Sequence, residues 1–65
     1  MFCEWSGNRV QLRYDDRRLL RTFSVRQPVQ CVQVSGEGND ARVAITMTNG
    51  RTALYAGDGR CIRQA

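Results

Sequence analysis

The chemistry open to this chain is bounded first by what it lacks. Its 65 residues include no histidine, the side chain that most often serves as general base and metal ligand near neutral pH. Cys3, Cys31 and Cys61 stand far apart along the chain. No C-x-x-C pair is present to begin a zinc site, and an odd number of cysteines does not suit a secreted disulfide framework. The three read as small apolar residues, buried or half-buried. The adjacent carboxylates Asp15 and Asp16 would point to opposite sides of a strand, so they read as a turn rather than an acid/base pair. Gly57-Asp58-Gly59 lacks the further oxygen ligands of a calcium loop and also reads as a turn. No catalytic residue, metal ligand or cofactor is assigned, and the chain is expected to be non-enzymatic.

What remains is arginine. All ten basic residues are Arg, against six acidic residues, for a net charge of +4. Arg9, Arg13, Arg17, Arg18 and Arg21 crowd into one short stretch. Guanidinium groups bind phosphate and carboxylate bidentately. With Trp5 and Tyr55 as stacking surfaces, such a stripe would suit single-stranded nucleic acid on a small β-barrel. Asp15 and Asp16 weaken the field of the stripe, and neither an RNP-like aromatic run nor a basic recognition helix is present. Codon usage in a GC-rich genome also explains an all-arginine chain. Nucleic-acid binding is therefore the alternative function, and a solvated charged face is the plainer reading.

The elements that would position these residues are strands. Val10, Leu12 and Tyr14 alternate with Arg9, Gln11 and Arg13, the period-two pattern of a strand with one wet side. Val43, Ile45 and Met47 repeat it. Phe2–Trp5, Arg18–Val25, Val29–Val34, Arg51–Ala56 and Arg60–Arg63 complete a set of six to seven short strands. Asn49-Gly50 predicts a type I′ hairpin turn, and Gln27-Pro28 interrupts the ladder. If Leu19, Phe23 and Val25 face the core, Arg21 falls on the same side, which predicts a bulge or a place at the sheet rim. No helix of useful length is expected.

Residues 8–21 laid against 41–54 as an internal repeat match at Arg9/Arg42, Val10/Val43 and Arg18/Arg51, with Leu12/Ile45, Tyr14/Met47 and Asp16/Asn49 similar. This suggests two β-β-β units in series, Phe2–Val25 and Val29–Ala56, plus a final segment. Such units resemble single blades of propeller-like repeats, and two blades cannot close a ring. The fold class is therefore all-β: a single small domain over 1–65, an antiparallel meander curled into a barrel or completed by oligomerisation. A chain this short has little core, so a homo-oligomer, with a protein partner or nucleic acid as further occupants, is the expected working form. No leader-like segment and no apolar run of about 20 residues is seen, so the expected location is cytoplasmic, away from membranes. The expected function is that of an oligomeric protein-interaction or structural module.

Overall fold

The computed structural model describes residues 1–64. Seven strands follow in order: β1 (Phe2–Ser6), β2 (Arg9–Arg13), β3 (Leu19–Ser24), β4 (Val29–Ser35), β5 (Arg42–Met47), β6 (Thr52–Ala56) and β7 (Cys61–Gln64), with one 3-10 turn at Gly38–Asp40. They make two antiparallel sheets, β1-β2-β3 and β4-β5-β6-β7, each in sequence order. The two β-β-β units of the sequence thus become the two sheets, the second one strand wider. Among the described residues the ladder does not run on into a closed barrel.

Each sheet has an apolar side, and the two sides bury one another. Val10 and Leu12 of β2 and Val43 and Ile45 of β5 are the largest fully buried side chains. These are the paired positions of the internal repeat. Phe23, Val25, Ala41, Met47 and Ala53 complete the buried cluster, with Leu20, Val29, Val32, Val34 and Tyr55 packed at its margin. The Phe23 and Tyr55 rings meet with centroids 4.9 Å apart and planes 39° apart, which sets β3 above β6. Along the opposite side the sheets are tied: Val29 N–H donates to the Gly7 carbonyl at 2.7 Å, and Gly38 N–H donates to Met1 Sδ at 3.0 Å.

Arg21 does lie on the inward side of β3, directly opposite Leu12, and a bulge follows: Arg13 pairs with Leu19, leaving Leu20 as the extra residue. The bulge changes which leucine packs. Leu20 lies against the core, whereas Leu19, expected inside, is 50% exposed. Two further expectations are corrected. Tyr14 stands outside the buried cluster, its ring covered instead by the Arg18 guanidinium at 4.9 Å. Cys3 is half-buried, but Cys31 and Cys61 are exposed, and all three are free thiols.

The Asn49-Gly50 turn is not type I′, because Asn49 keeps a negative φ and Gly50 alone takes the left-handed region at +86°. It is instead a three-residue loop closed by a G1-type bulge, and the chain builds it three times. In Tyr14–Arg18, Met47–Arg51 and Ala56–Arg60 the first carbonyl accepts the fourth N–H at 2.9, 3.0 and 3.0 Å. The first N–H donates to the fifth carbonyl at 2.9, 2.9 and 2.8 Å. The third side chain (Asp16, Asn49 or Asp58) accepts the fifth N–H at 3.0 Å each time. The extra loop residue lets an Asx side chain satisfy a donor that a two-residue turn would not expose. The fourth position needs positive φ; Gly50 and Gly59 supply it freely, while Arg17 adopts +74° with a side chain attached.

Two stability outcomes follow from this backbone. Arg17→Gly removes the left-handed penalty and should stabilise the chain by about 1 kcal/mol, read as a higher urea midpoint with an unchanged slope. Gly57 packs so closely on Gly38 that a Cβ would overlap the Gly38 carbonyl oxygen. Gly57→Ala should therefore destabilise by about 1–3 kcal/mol in the same assay.

Candidate functional site

The register of β2 turns Arg9, Gln11 and Arg13 to the outer face of the narrow sheet, opposite Ser24, Thr22 and Leu19 on β3. The five clustered arginines nevertheless do not form one stripe. Arg13 is engaged: its Nη1 donates to the Arg17 carbonyl and its Nη2 to Gln11 Oε1, both at 2.9 Å, and its Nε lies 3.6 Å from Glu4 Oε1. Arg18 Nε donates to Asp16 Oδ2 at 2.7 Å. Arg21 points inward, its stem beside Gly59 and its Nε buried with no hydrogen-bond partner among the described residues. Arg9 and Arg17 remain exposed. Trp5, 42% exposed, shares a shallow groove with Arg9, Glu4 and Gln11. Tyr55 stacks on Phe23 at the margin of the core and is half-buried.

The carboxylates of the first turn are also occupied. Asp15 Oδ1 accepts the N-terminal ammonium at 2.8 Å, and that hydrogen bond raises the pKa of the amine. Asp16 is held below the usual carboxylate range, first by the Arg18 backbone N–H and then by its guanidinium. Among the described residues no three metal-ligating side chains gather.

Two features stand out that the residue pattern did not single out. The first is an open seam. One sheet has three strands and the other four, and the last strand, β7, is the one whose burial is least. Every residue of β7 is exposed, including Ile62 at 40%. Cys61 is exposed although it pairs opposite Tyr55. The odd strand count carried this signal, but which strand overhangs depends on how the sheets stack.

The second is a cleft of about 610 Å³ at one end of the sandwich, lined by Val25, Arg26, Gln27, Met47, Asn49, Arg51, Thr52 and Gln64. Its walls are the β3–β4 connection and the β5–β6 hairpin, joined by Thr48 N–H donating to the Pro28 carbonyl at 2.9 Å. Arg26 and Arg51 are 25 residues apart in the chain, so only the packing of one sheet on the other brings them to one opening.

Comparison with family models, curated proteins and solved structures finds no match to the chain. Its function is read from these surfaces alone.

Burial pushes the Cys3 thiol up to about 11, against an ordinary value of 9.0. Two results should follow. At pH 8, Cys31 and Cys61 should react with a thiol reagent well before Cys3. Because the folded state holds the Cys3 proton more tightly, its contribution to stability is full below pH 9 and should be lost as pH rises toward 11. A Cys3→Ser variant, scanned by thermal melting over that range, should lack this loss.

Proposed function

We propose that the protein is a non-enzymatic interaction module that works as an oligomer, and that its first partner is a second copy of itself, docked along the open seam. The observation that carries this reading is the unequal width of the sheets. A two-fold axis lying between the sheets at the overhang would set the second copy's β7 beside the free edge of β3, while β7 of the first copy fills the equivalent slot in return. Both sheets would then continue across the junction, seven strands in each. Such a contact is isologous, the commonest form of protein self-association, and removes two of the exposed edges that otherwise invite non-specific pairing.

Several features support it. The opposite side of the sandwich is already tied by the Val29–Gly7 and Gly38–Met1 hydrogen bonds, so the seam is the side left for docking. Leu19 and Ile62 expose apolar surface on the two strands concerned, surface that pairing would cover at about 25 cal/mol per Å². The absence of histidine and the commitment of Asp15 and Asp16 to structural hydrogen bonds fit a binding role rather than catalysis. Two exposed free thiols, Cys31 and Cys61, fit a reducing compartment such as the cytoplasm. No helix among the described residues is long and apolar enough to cross a membrane.

The alternative, nucleic-acid binding, keeps one supporting observation: among the described residues only Arg13 and Arg18 lie within ion-pair distance of a carboxylate, which leaves most guanidinium groups available. Light scattering over a wide concentration range tests the main reading. The wild-type chain should have twice the monomer mass, and Ile62→Asp should yield a monomer with an unchanged far-UV spectrum. A wild type that stays monomeric at every concentration would overturn it. Retention on a nucleic-acid matrix that falls steeply with salt and with loss of Arg9 and Arg17 would favour the alternative.

A further inference from the structure

We infer that the cleft between the β3–β4 connection and the β5–β6 hairpin is a binding site for an organic phosphate: a phosphate group joined to a planar, hydrogen-bonding body. This goes beyond the self-association reading and does not rest on it.

The electrostatics set this opening apart from the other grooves. The groove around Met1 and Tyr14 carries Asp15, Asp16 and Glu37, and that around Trp5 carries Glu4 beside Arg9. The shallow groove on the outer face of the wider sheet contains Arg42, but its Nη1 is already donated to the Asp40 and Ala41 carbonyls at 3.1 and 3.2 Å. Arg26 and Arg51, in contrast, line one cleft with no carboxylate among the described residues of its wall. Neither side chain has a hydrogen bond or ion pair to any described residue. Two like charges gathered at one opening repel each other, and an anion between them removes that repulsion. Each guanidinium can meet two oxygens of one anion, and two of them together suit a phosphate, with a charge of about −1.5 to −2, better than a singly charged carboxylate.

The rest of the lining sets the class of the remainder of the ligand. Val25 and Met47 belong to the buried core and form an apolar floor, and a methionine sulfur packs well against the edge of an aromatic ring. Gln27, Asn49, Thr52 and Gln64 supply neutral groups that both donate and accept, as a heterocyclic base requires. The Asn49 side-chain Oδ1 accepts from the Arg51 N–H at 3.0 Å, which leaves the Asn49 side-chain NH₂ to donate. A volume of about 610 Å³ lies within the range of sites for small organic ligands. The Thr48–Pro28 hydrogen bond holds the two walls at a fixed distance, so the site is formed before any ligand arrives.

Two sources offer this chemistry: a free mononucleotide, or a terminal nucleotide of a single strand. Amide-detected NMR titration distinguishes them, with nucleoside monophosphates, short single-stranded oligonucleotides and inorganic phosphate as probes at low salt. Nucleotide or oligonucleotide should shift the amides of Arg26, Gln27, Asn49, Thr52 and Gln64. Arg26→Gln and Arg51→Gln should each weaken binding about tenfold, and the double variant should abolish it, with the apo melting temperature unchanged or raised. Tighter binding of the monophosphate assigns a free nucleotide; tighter binding of the oligonucleotide assigns a strand end. Arg9→Gln, Arg17→Gln and monomeric Ile62→Asp should bind as the wild type does. Absence of binding by any probe would overturn the inference, as would inorganic phosphate matching the nucleotides or equal losses from Arg9→Gln and Arg26→Gln.

Discussion

Everything in this chain depends on two narrow sheets finding their apolar cover in each other. Val10 and Leu12 on one side and Val43 and Ile45 on the other are the largest fully buried side chains, and either sheet alone would leave that apolar side in water. The four residues occupy matching places in the internal repeat. Two similar β-β-β units thus supply two half-cores that complete each other, which is how so short a chain reaches a contiguous buried cluster.

The parts of the fold that were legible in the sequence are those governed by local rules. Period-two alternation marks β2 and β5 because each has one wet and one dry side. The Gln27-Pro28 break falls where one sheet ends and the next begins. The mispredictions arise where a single residue changes register or turn length. Asn49-Gly50 suits a two-residue turn, yet Thr48 joins the loop and Asn49 takes a capping role. Leu19 and Leu20 are equally apolar, and only the bulge opposite Arg13 decides which one packs.

Function was less legible because it rests on tertiary neighbours. Proximity along the chain suggested a stripe of five arginines, but folding gives Arg13 and Arg18 to local acceptors and turns Arg21 inward. Tyr55 looks like a surface platform in the sequence, and in the fold its ring is half-buried against Phe23 at the core margin. Conversely, Arg26 and Arg51 lie far apart in the sequence and line one cleft only because the β3–β4 connection and the β5–β6 hairpin share one end of the sandwich. The overhang of β7 is legible as an odd strand, but its location is set by the Phe23–Tyr55 contact.

The close seating of Gly57 on Gly38 has an architectural consequence. Gly57 N–H also donates to the Ala41 carbonyl at 2.8 Å, so the root of the last hairpin is fastened to the 3-10 turn with no side chain between the two backbones. That corner acts as a hinge pin set in its socket. The direction in which β7 leaves the sandwich is thereby fixed by main chain alone, and side-chain drift along β7 can alter what the strand attracts while its aim stays constant.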